Sequence, residues 1–87
     1  MNLEELRREI NLVDEEILKC FIKRMDISEK IALGKIENNI ELVNKTREEE
    51  ILNKVESESK KYSKYSRKLF ITLMDLSKEF QREVIGD

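Results

Sequence analysis

The 87-residue sequence contains no histidine, no proline and no tryptophan, and Cys20 is its single cysteine. One cysteine cannot form an intrachain disulfide, and one thiolate without histidine cannot complete a four-ligand structural zinc site. The lack of histidine excludes Ser-His and Cys-His nucleophile pairs and histidine acid–base catalysis. Any catalysis must therefore use Arg, Lys, Glu, Gln and hydroxyl groups, which suits a reaction driven by positioning and electrostatics.

Glycine is also scarce, and Gly34 and Gly86 are too few and too far apart for a glycine-rich phosphate loop. The net charge of −2 argues against a nucleic-acid partner, since such proteins usually carry a clear basic excess. The N-terminus is acidic and every apolar run is short, so we expect neither a signal peptide nor contact with a membrane. The sequence thus predicts a cytoplasmic protein with Cys20 reduced.

Helical spacing dominates what is present, beginning with a segment from about residue 2 to 38. Asn2 and Glu5 are spaced as a capping box. Residues then recur at steps of three and four along one seam: Leu3, Leu6, Ile10, Val13, Ile17, Cys20, Arg24, Ile27 and Ile31. A helix of this length extends about 54 Å, whereas a compact domain of this size has a radius of gyration of about 12 Å. Much of the helix should therefore lie against another copy of the chain.

Two shorter helices follow in a single all-α domain over residues 1–87. The second is predicted over about 45–60, starting near Asn44 or at Thr46, which forms a capping box with Glu49. The polar stretch 59–66 is the predicted connection, and the third helix covers about 63–85. A plain two-stranded coiled coil is the alternative, but it leaves the rest of the chain without a role.

Two cations break the apolar pattern of the long helix. Arg24 occupies a seam position, where it needs an anion, although it could instead fix the helix register or form a salt bridge. Lys35 follows Gly34, whose presence in a helix suggests a close approach by another group or fraying near the end. Lys35 lies about 16 Å of helical rise from Arg24, within reach of one small ligand. Arg7 lies about 42 Å from Lys35 and could reach that ligand only from an antiparallel partner.

Further polar residues have both functional and ordinary interpretations. Arg47 and Glu48 open the second helix, where charged residues are common in any case. Ser77 and Gln81 lie one turn apart on the third helix. They could line a cavity, or they could lie at the solvent-exposed border of the apolar face. A basic cluster with two tyrosines could contact phosphates, but a solvated surface is the favoured interpretation. Its members are Lys60, Lys61, Tyr62, Lys64, Tyr65, Arg67 and Lys68.

In their order and spacing these segments resemble the all-helical (AroQ) class of chorismate mutase. The resemblance covers nearly the whole chain, through residues 6–10, 13–18, 23–25, 31–35 and 46–50 and the C-terminal series Phe70, Ser77 and Gln81. It implies an intertwined homodimer of three-helix chains, in agreement with the length of the first helix. It also implies the Claisen rearrangement of chorismate to prephenate in aromatic amino-acid (Phe/Tyr) biosynthesis, without metal or cofactor.

Carried over by position, the resemblance implies that carboxylates are bound by Arg24, Arg47 and the partner subunit's Arg7. Guanidinium groups suit this role because they bind carboxylates through two parallel hydrogen bonds. Asn44 stands where the family often has an aspartate, which leaves the cap intact but removes a charge.

The remaining carried-over residues concern the reacting part of the substrate. Lys35 and Gln81 are implied to donate hydrogen bonds to the ether oxygen, and Glu48 to hold the ring hydroxyl with Ser77 nearby. Two rival functions stay open from the sequence. One is an isochorismate-pyruvate lyase of the same fold, and the other is a non-catalytic helical dimerisation module.

Overall fold

A computed structural model describes residues 1–86 as three α-helices and one short 3₁₀ turn. Helix α1 covers Leu3–Glu37, α2 covers Lys45–Ser59, the 3₁₀ turn covers Lys60–Tyr62 and α3 covers Ser63–Ile85. No β-strand occurs within residues 1–86. The all-α fold class and the predicted order of a long, a short and a medium helix are confirmed.

Asparagine side chains define both ends of α1. The side-chain oxygen of Asn2 accepts hydrogen bonds from the backbone N–H groups of Glu4 (3.0 Å) and Glu5 (3.2 Å), so it satisfies two of the free donors at the helix start. At the other end, Asn38 donates to the carbonyl of Gly34 from both its backbone and its side chain. Asn39 then adopts a left-handed φ of 54°, which asparagine tolerates better than most residues.

The sequence predicts that helix α2 begins either near Asn44 or at Thr46. Asn44 is the N-cap, and its side-chain oxygen accepts a hydrogen bond of 3.0 Å from the backbone N–H of Arg47. The predicted capping box of Thr46 and Glu49 is therefore wrong, because Thr46 already lies inside the first turn. Asn44 precedes Thr46 in the chain, and its side chain accepts the hydrogen bond from the backbone N–H three residues later that defines an N-cap.

The connection between α2 and α3 is shorter than the predicted stretch 59–66. Helix α2 continues to Ser59 and α3 begins at Ser63, with only the 3₁₀ turn between them. Lys60 makes the change of direction with φ 53° and ψ −115°, a conformation that residues with a side chain rarely adopt. The serine-rich composition indicated a loop, but helical turns continue on both sides of Lys60 and only this residue departs strongly from helical geometry.

Helix α3 holds the chain together, because it packs against both α1 and α2. Its contacts leave a very small interior. The buried apolar residues are Ala32, Leu52 and Met74, and the buried polar residues are Ser28, Ser77 and Gln81. Since apolar burial is the main source of folding free energy, this interior gives one chain little stability of its own.

The chain is elongated, with extents of 55 × 25 × 16 Å and a radius of gyration of 16.1 Å. A compact domain of this size would have a radius of gyration of about 12 Å. The excess comes from the N-terminal half of α1, where every residue from 1 to 20 is exposed. No helix within residues 1–86 is both long enough and apolar enough to cross a membrane.

Candidate active site

A cavity of about 380 Å³ lies where the C-terminal half of α1, the start of α2 and the C-terminal half of α3 meet. Each helix contributes residues at helical spacing, so that one face of each helix forms one wall. The wall from α1 consists of Arg24, Ile27, Ser28, Ile31 and Lys35, and Leu42 in the following connection closes one end. The other two walls consist of Asn44, Arg47, Glu48 and Ile51, and of Met74, Ser77, Lys78 and Gln81.

Arg24 reaches from α1 to α3 through its guanidinium group. Its Nη1 donates to the Ser77 hydroxyl at 2.5 Å and to the Leu73 carbonyl at 3.4 Å. Burial lowers the pKa of Arg24 from its ordinary value, but an arginine remains a cation at neutral pH. Because two partners on α3 use only part of its five-donor fork, the guanidinium can bind an anion in the cavity as well.

Ser28 completes a small hydrogen-bonded group on the cavity floor. Its hydroxyl donates to the Ser77 oxygen at 3.0 Å, and only 4% of Ser28 is exposed. Ser77 therefore accepts hydrogen bonds from both Ser28 and Arg24. A buried polar group costs free energy unless it is paired, so this group is both satisfied and held in place.

Lys35 enters the cavity near the end of α1. Its ammonium donates to the carbonyl of Leu42 in the connection to α2. An ammonium has three N–H donors, so two remain for a ligand. The contact also ties the connection to α1 beside the cavity.

The first turn of α2 supplies one cation and one carboxylate. The Asn44 cap holds the backbone of Arg47, whose guanidinium lies 3.9 Å from Glu50 in an exposed ion pair. The carboxylate of Glu48 lies 3.2 Å from the ammonium of Lys78 on α3. Helix capping thus sets the positions from which both Arg47 and Glu48 reach the cavity.

Gln81, the last residue of the α3 wall along the chain, carries an unsatisfied polar atom. It is 6% exposed, and its Oε1 has no hydrogen-bond partner among residues 1–86. Leaving such an atom unpaired costs about 1–3 kcal/mol. Rotation of the terminal amide by half a turn exchanges its oxygen and nitrogen, so the position can offer either an acceptor or a donor. An unpaired amide facing a cavity is typical of a group that a ligand satisfies.

Seven of the eight predicted site residues line this one cavity. They are Arg24, Lys35, Asn44, Arg47, Glu48, Ser77 and Gln81. Arg7 is absent from the lining, because it lies on the exposed N-terminal half of α1. Within one chain its distance along the helix excludes it, as the sequence predicted.

Two polar residues of the lining were not among the predicted site residues, although a signal was available. Lys78 directly follows Ser77 in the sequence. The spacing i, i+3, i+4, i+7 of one helix face is that of Met74, Ser77, Lys78 and Gln81. Ser28 follows the same rule with Arg24 and Lys35 on α1. The helical spacing of each face therefore predicts Lys78 and Ser28 as lining residues, although neither belongs to the resemblance.

The electrostatics of the cavity favour a small anion with more than one negative charge. Four cationic side chains line it, namely Arg24, Lys35, Arg47 and Lys78, against the single carboxylate of Glu48. Apolar walls lower the local dielectric and strengthen these charges. Within residues 1–86, no group of three or more His, Cys, Asp or Glu side chains is placed to hold a metal ion.

A second cavity of about 420 Å³ lies between the N-terminal halves of α1 and α3. Its lining is largely apolar and includes Val13, Ile17, Cys20, Phe21, Leu69 and Phe70. Arg24 borders both cavities, so the first cavity and this apolar groove are neighbours.

Three helices around a cavity lined by four cations define an all-helical protein whose cavity suits a small anion. Comparison with known families identifies the family to which this all-helical protein belongs. The model of the family "Chorismate mutase type II" matches residues 6–82. The chain belongs to the chorismate mutase type II family, which confirms the resemblance found in the sequence.

A curated relative agrees with the family match. It is the bifunctional chorismate mutase/prephenate dehydratase of Buchnera aphidicola subsp. Acyrthosiphon pisum (strain APS), with 35% identity over 82 residues. The match covers 91% of this chain but only 21% of the relative, so the chain spans about one fifth of that protein's length. No solved structure gives a significant match to the chain.

Proposed function

We propose that this protein is a chorismate mutase, an isomerase that converts chorismate to prephenate by a Claisen rearrangement. The observation that carries the proposal is the convergence of seven predicted site residues on one cavity of about 380 Å³. Family membership adds independent support. By this proposal the protein acts in aromatic amino-acid biosynthesis in the cytoplasm.

In the proposed mechanism the cations first fix the conformation of the substrate. Arg24 and Arg47 bind carboxylates on opposite sides of the cavity, so the flexible side chain of chorismate is held over its ring. Holding the two reacting carbons together supplies in advance the entropy that the free substrate would lose in the transition state. This step needs no nucleophile, which suits a chain without histidine.

The second contribution is made to the breaking bond. Negative charge develops on the ether oxygen as the C–O bond lengthens, and Lys35 and Gln81 donate hydrogen bonds to that oxygen. Lys35 uses only one of its three donors, on Leu42, and a half-turn of the Gln81 amide would bring its N–H₂ group to the position of the unpaired Oε1. Donors that are already in place stabilise the transition state without reorganisation. Glu48 accepts a hydrogen bond from the ring hydroxyl.

A homodimer is the second part of the proposal. Seven apolar residues of the α1 seam are between 40% and 62% exposed, namely Leu3, Leu6, Ile10, Val13, Ile17, Ile27 and Ile31. Exposed apolar surface on this scale is typical of an interface between chains. An antiparallel partner would cover this seam and the apolar groove, and it would bring the partner subunit's Arg7 to the cavity.

The first test is to add chorismate to the purified protein, follow the loss of its ultraviolet absorbance and identify the product. We expect prephenate, and we expect Lys35→Ala to lower kcat by about 10²–10³ because one preorganised donor is lost. Lys54→Ala is the matched control, since Lys54 is exposed on α2 and lies outside the cavity. It should leave kcat close to that of the parent.

The other outcomes separate the rival functions. If the parent leaves chorismate unchanged but converts isochorismate to salicylate and pyruvate, the protein is a lyase of the same fold. If a folded dimer acts on neither substrate, the non-catalytic dimerisation module is the better account.

A further inference from the structure

Lys78 is the one cation of the cavity to which the resemblance gives no role. Its ammonium lies 3.2 Å from Oε2 and 3.4 Å from Oε1 of Glu48, so it contacts both oxygens of that carboxylate. It also lies 3.6 Å from Asp75, one turn earlier on α3. We propose that Lys78 is a positioning residue that holds Glu48 away from the substrate-binding cations, an inference that rests on the proposed function.

The argument starts from the surroundings of Glu48. Its carboxylate lines a cavity that also contains Arg24, Lys35 and Arg47. Charges in a partly enclosed site attract each other more strongly than in open water. Even so, within residues 1–86 the only ion pair of Glu48 shorter than 4.0 Å is the one with Lys78.

Without Lys78, the carboxylate of Glu48 would lose the one cation within 4.0 Å of it among residues 1–86. A glutamate side chain has enough freedom to turn towards the other cations that line the cavity, namely Arg24, Lys35 and Arg47. There it would compete with the carboxylates of the substrate for the same donors. Lys78 therefore prevents an internal carboxylate from acting as a competitor of the dicarboxylate ligand.

Lys78 also keeps Glu48 in one orientation. An ammonium that contacts both carboxylate oxygens fixes the plane of the group, which leaves the other lone pairs of those oxygens for a hydroxyl. Both side chains are largely shielded, with exposed fractions of 21% for Lys78 and 26% for Glu48, so water screens the pair less than an ordinary surface pair. Glu48 is thereby presented to the ring hydroxyl in a single geometry.

A second ion pair between the same two helices provides a matched control. Arg67 on α3 pairs with Glu56 on α2 at 2.5 Å, and neither residue lines the cavity. This pair joins the helices as the Lys78–Glu48 pair does, but it faces no substrate-binding group. If Lys78 served only to join α2 to α3, removal of Arg67 would have the same effect on catalysis.

The experiment measures KM and kcat for chorismate in the dimeric parent, Lys78→Met, Lys78→Arg, Glu48→Gln, the double variant Lys78→Met/Glu48→Gln, and Arg67→Met. Circular dichroism and the oligomeric state verify that each variant folds. We expect Lys78→Met to raise KM by about tenfold or more, with a smaller loss in kcat, a size typical of coupling between contacting groups. Lys78→Arg should restore most of the loss, and Arg67→Met should leave KM near the parent value.

The double variant decides the assignment. Since the neutral amide introduced by Glu48→Gln cannot compete for the cations, Lys78→Met should cost little or nothing further in the Glu48→Gln background. An equal loss in both backgrounds, or no loss in either, overturns the inference while the activity of the parent still supports the proposed function. A parent that does not convert chorismate overturns the proposed function and this inference with it.

Discussion

At the residue scale, the Ser77 hydroxyl links the two helices that form the floor of the cavity. Its oxygen accepts hydrogen bonds from the Arg24 guanidinium and the Ser28 hydroxyl. A hydroxyl oxygen has two lone pairs, so both are used and the O–H of Ser77 must donate elsewhere. Under the proposed function, we expect a substrate oxygen in the cavity to be that acceptor.

We therefore predict that Ser77→Ala lowers kcat/KM for chorismate by about tenfold, which corresponds to the loss of about one hydrogen bond. The variant removes a donor to the substrate and also frees the Arg24 guanidinium to change its position. Thr72→Ala is the control, because Thr72 lies on the same helix, bonds only to the Lys68 carbonyl and is exposed. An unchanged kcat/KM in Ser77→Ala would show that this hydroxyl does not contact the substrate.

The sequence revealed more about which residues lie together than about how they pair. Arg24 was identifiable because a cation interrupts an apolar seam, and Lys35 because its distance along α1 suits one ligand. The pairing of Lys78 with Glu48 was not accessible in the same way. It depends on how α2 and α3 are rotated against each other, and spacing along a single helix does not contain that information.

At the element scale, the start of α2 connects stability with the site. Asn44 caps the helix through the backbone N–H of Arg47, and the next residue is Glu48. A lost cap lets the first turn fray, and this turn carries two of the side chains that line the cavity. The position of Asn44 was predictable from its chemistry, but Thr46 two residues later satisfied the same rule and made the start ambiguous.

We predict that Asn44→Ala lowers the free energy of unfolding by about 1 kcal/mol through loss of the cap, and that it also raises KM. Asn44→Asp should retain the full stability, because aspartate caps as well as asparagine and its charge suits a helix N-terminus. Urea unfolding at one fixed protein concentration measures both variants. Equal destabilisation by alanine and aspartate would argue against the capping role.

The junction between α2 and α3 contains a strained residue. Lys60 has a φ of 53°, a left-handed value that glycine adopts without the clash that a Cβ introduces. Nothing in the chemistry of lysine indicates this conformation, so the sequence could predict a break near this point but not its geometry. The strain follows from joining two helices through only three residues.

Lys60→Gly should accordingly stabilise the protein by about 0.5–1 kcal/mol, as relief of strain exceeds the added freedom of the unfolded chain. Lys61→Gly provides the opposite control, since Lys61 is the next residue and does not have a positive φ. It removes the same charge but should destabilise by about 0.5–1 kcal/mol, as glycine does within a helix. If both substitutions shift the urea midpoint in the same direction, the strain at Lys60 is not significant.

At the scale of the whole molecule, one chain exposes most of what should stabilise it. The first 20 residues are all exposed, and only Ala32, Leu52 and Met74 are buried apolar residues within residues 1–86. The length of α1 leads us to expect a partner, because a helix of about 52 Å exceeds any compact domain of this size. Under the proposed function the site of one chain is incomplete as well, since Arg7, one of its eight predicted residues, does not line the cavity.

The exposed surface of α1 and the distance of Arg7 from the cavity together lead to a prediction about mixed dimers. Arg7→Ala and Lys35→Ala should each be nearly inactive, because each removes one cation from both sites of the homodimer. In a mixed dimer, one site would combine both substitutions and the other would contain neither. Mild denaturant promotes random exchange of subunits between the two variants. After the denaturant is removed, about a quarter of the parent activity should be restored. A mixture that stays inactive, although mass spectrometry detects mixed dimers, would show that Arg7 does not act at the partner's cavity. Full activity of Arg7→Ala alone would lead to the same conclusion, and the cavity of a single chain would then have to bind both carboxylates with Arg24 and Arg47.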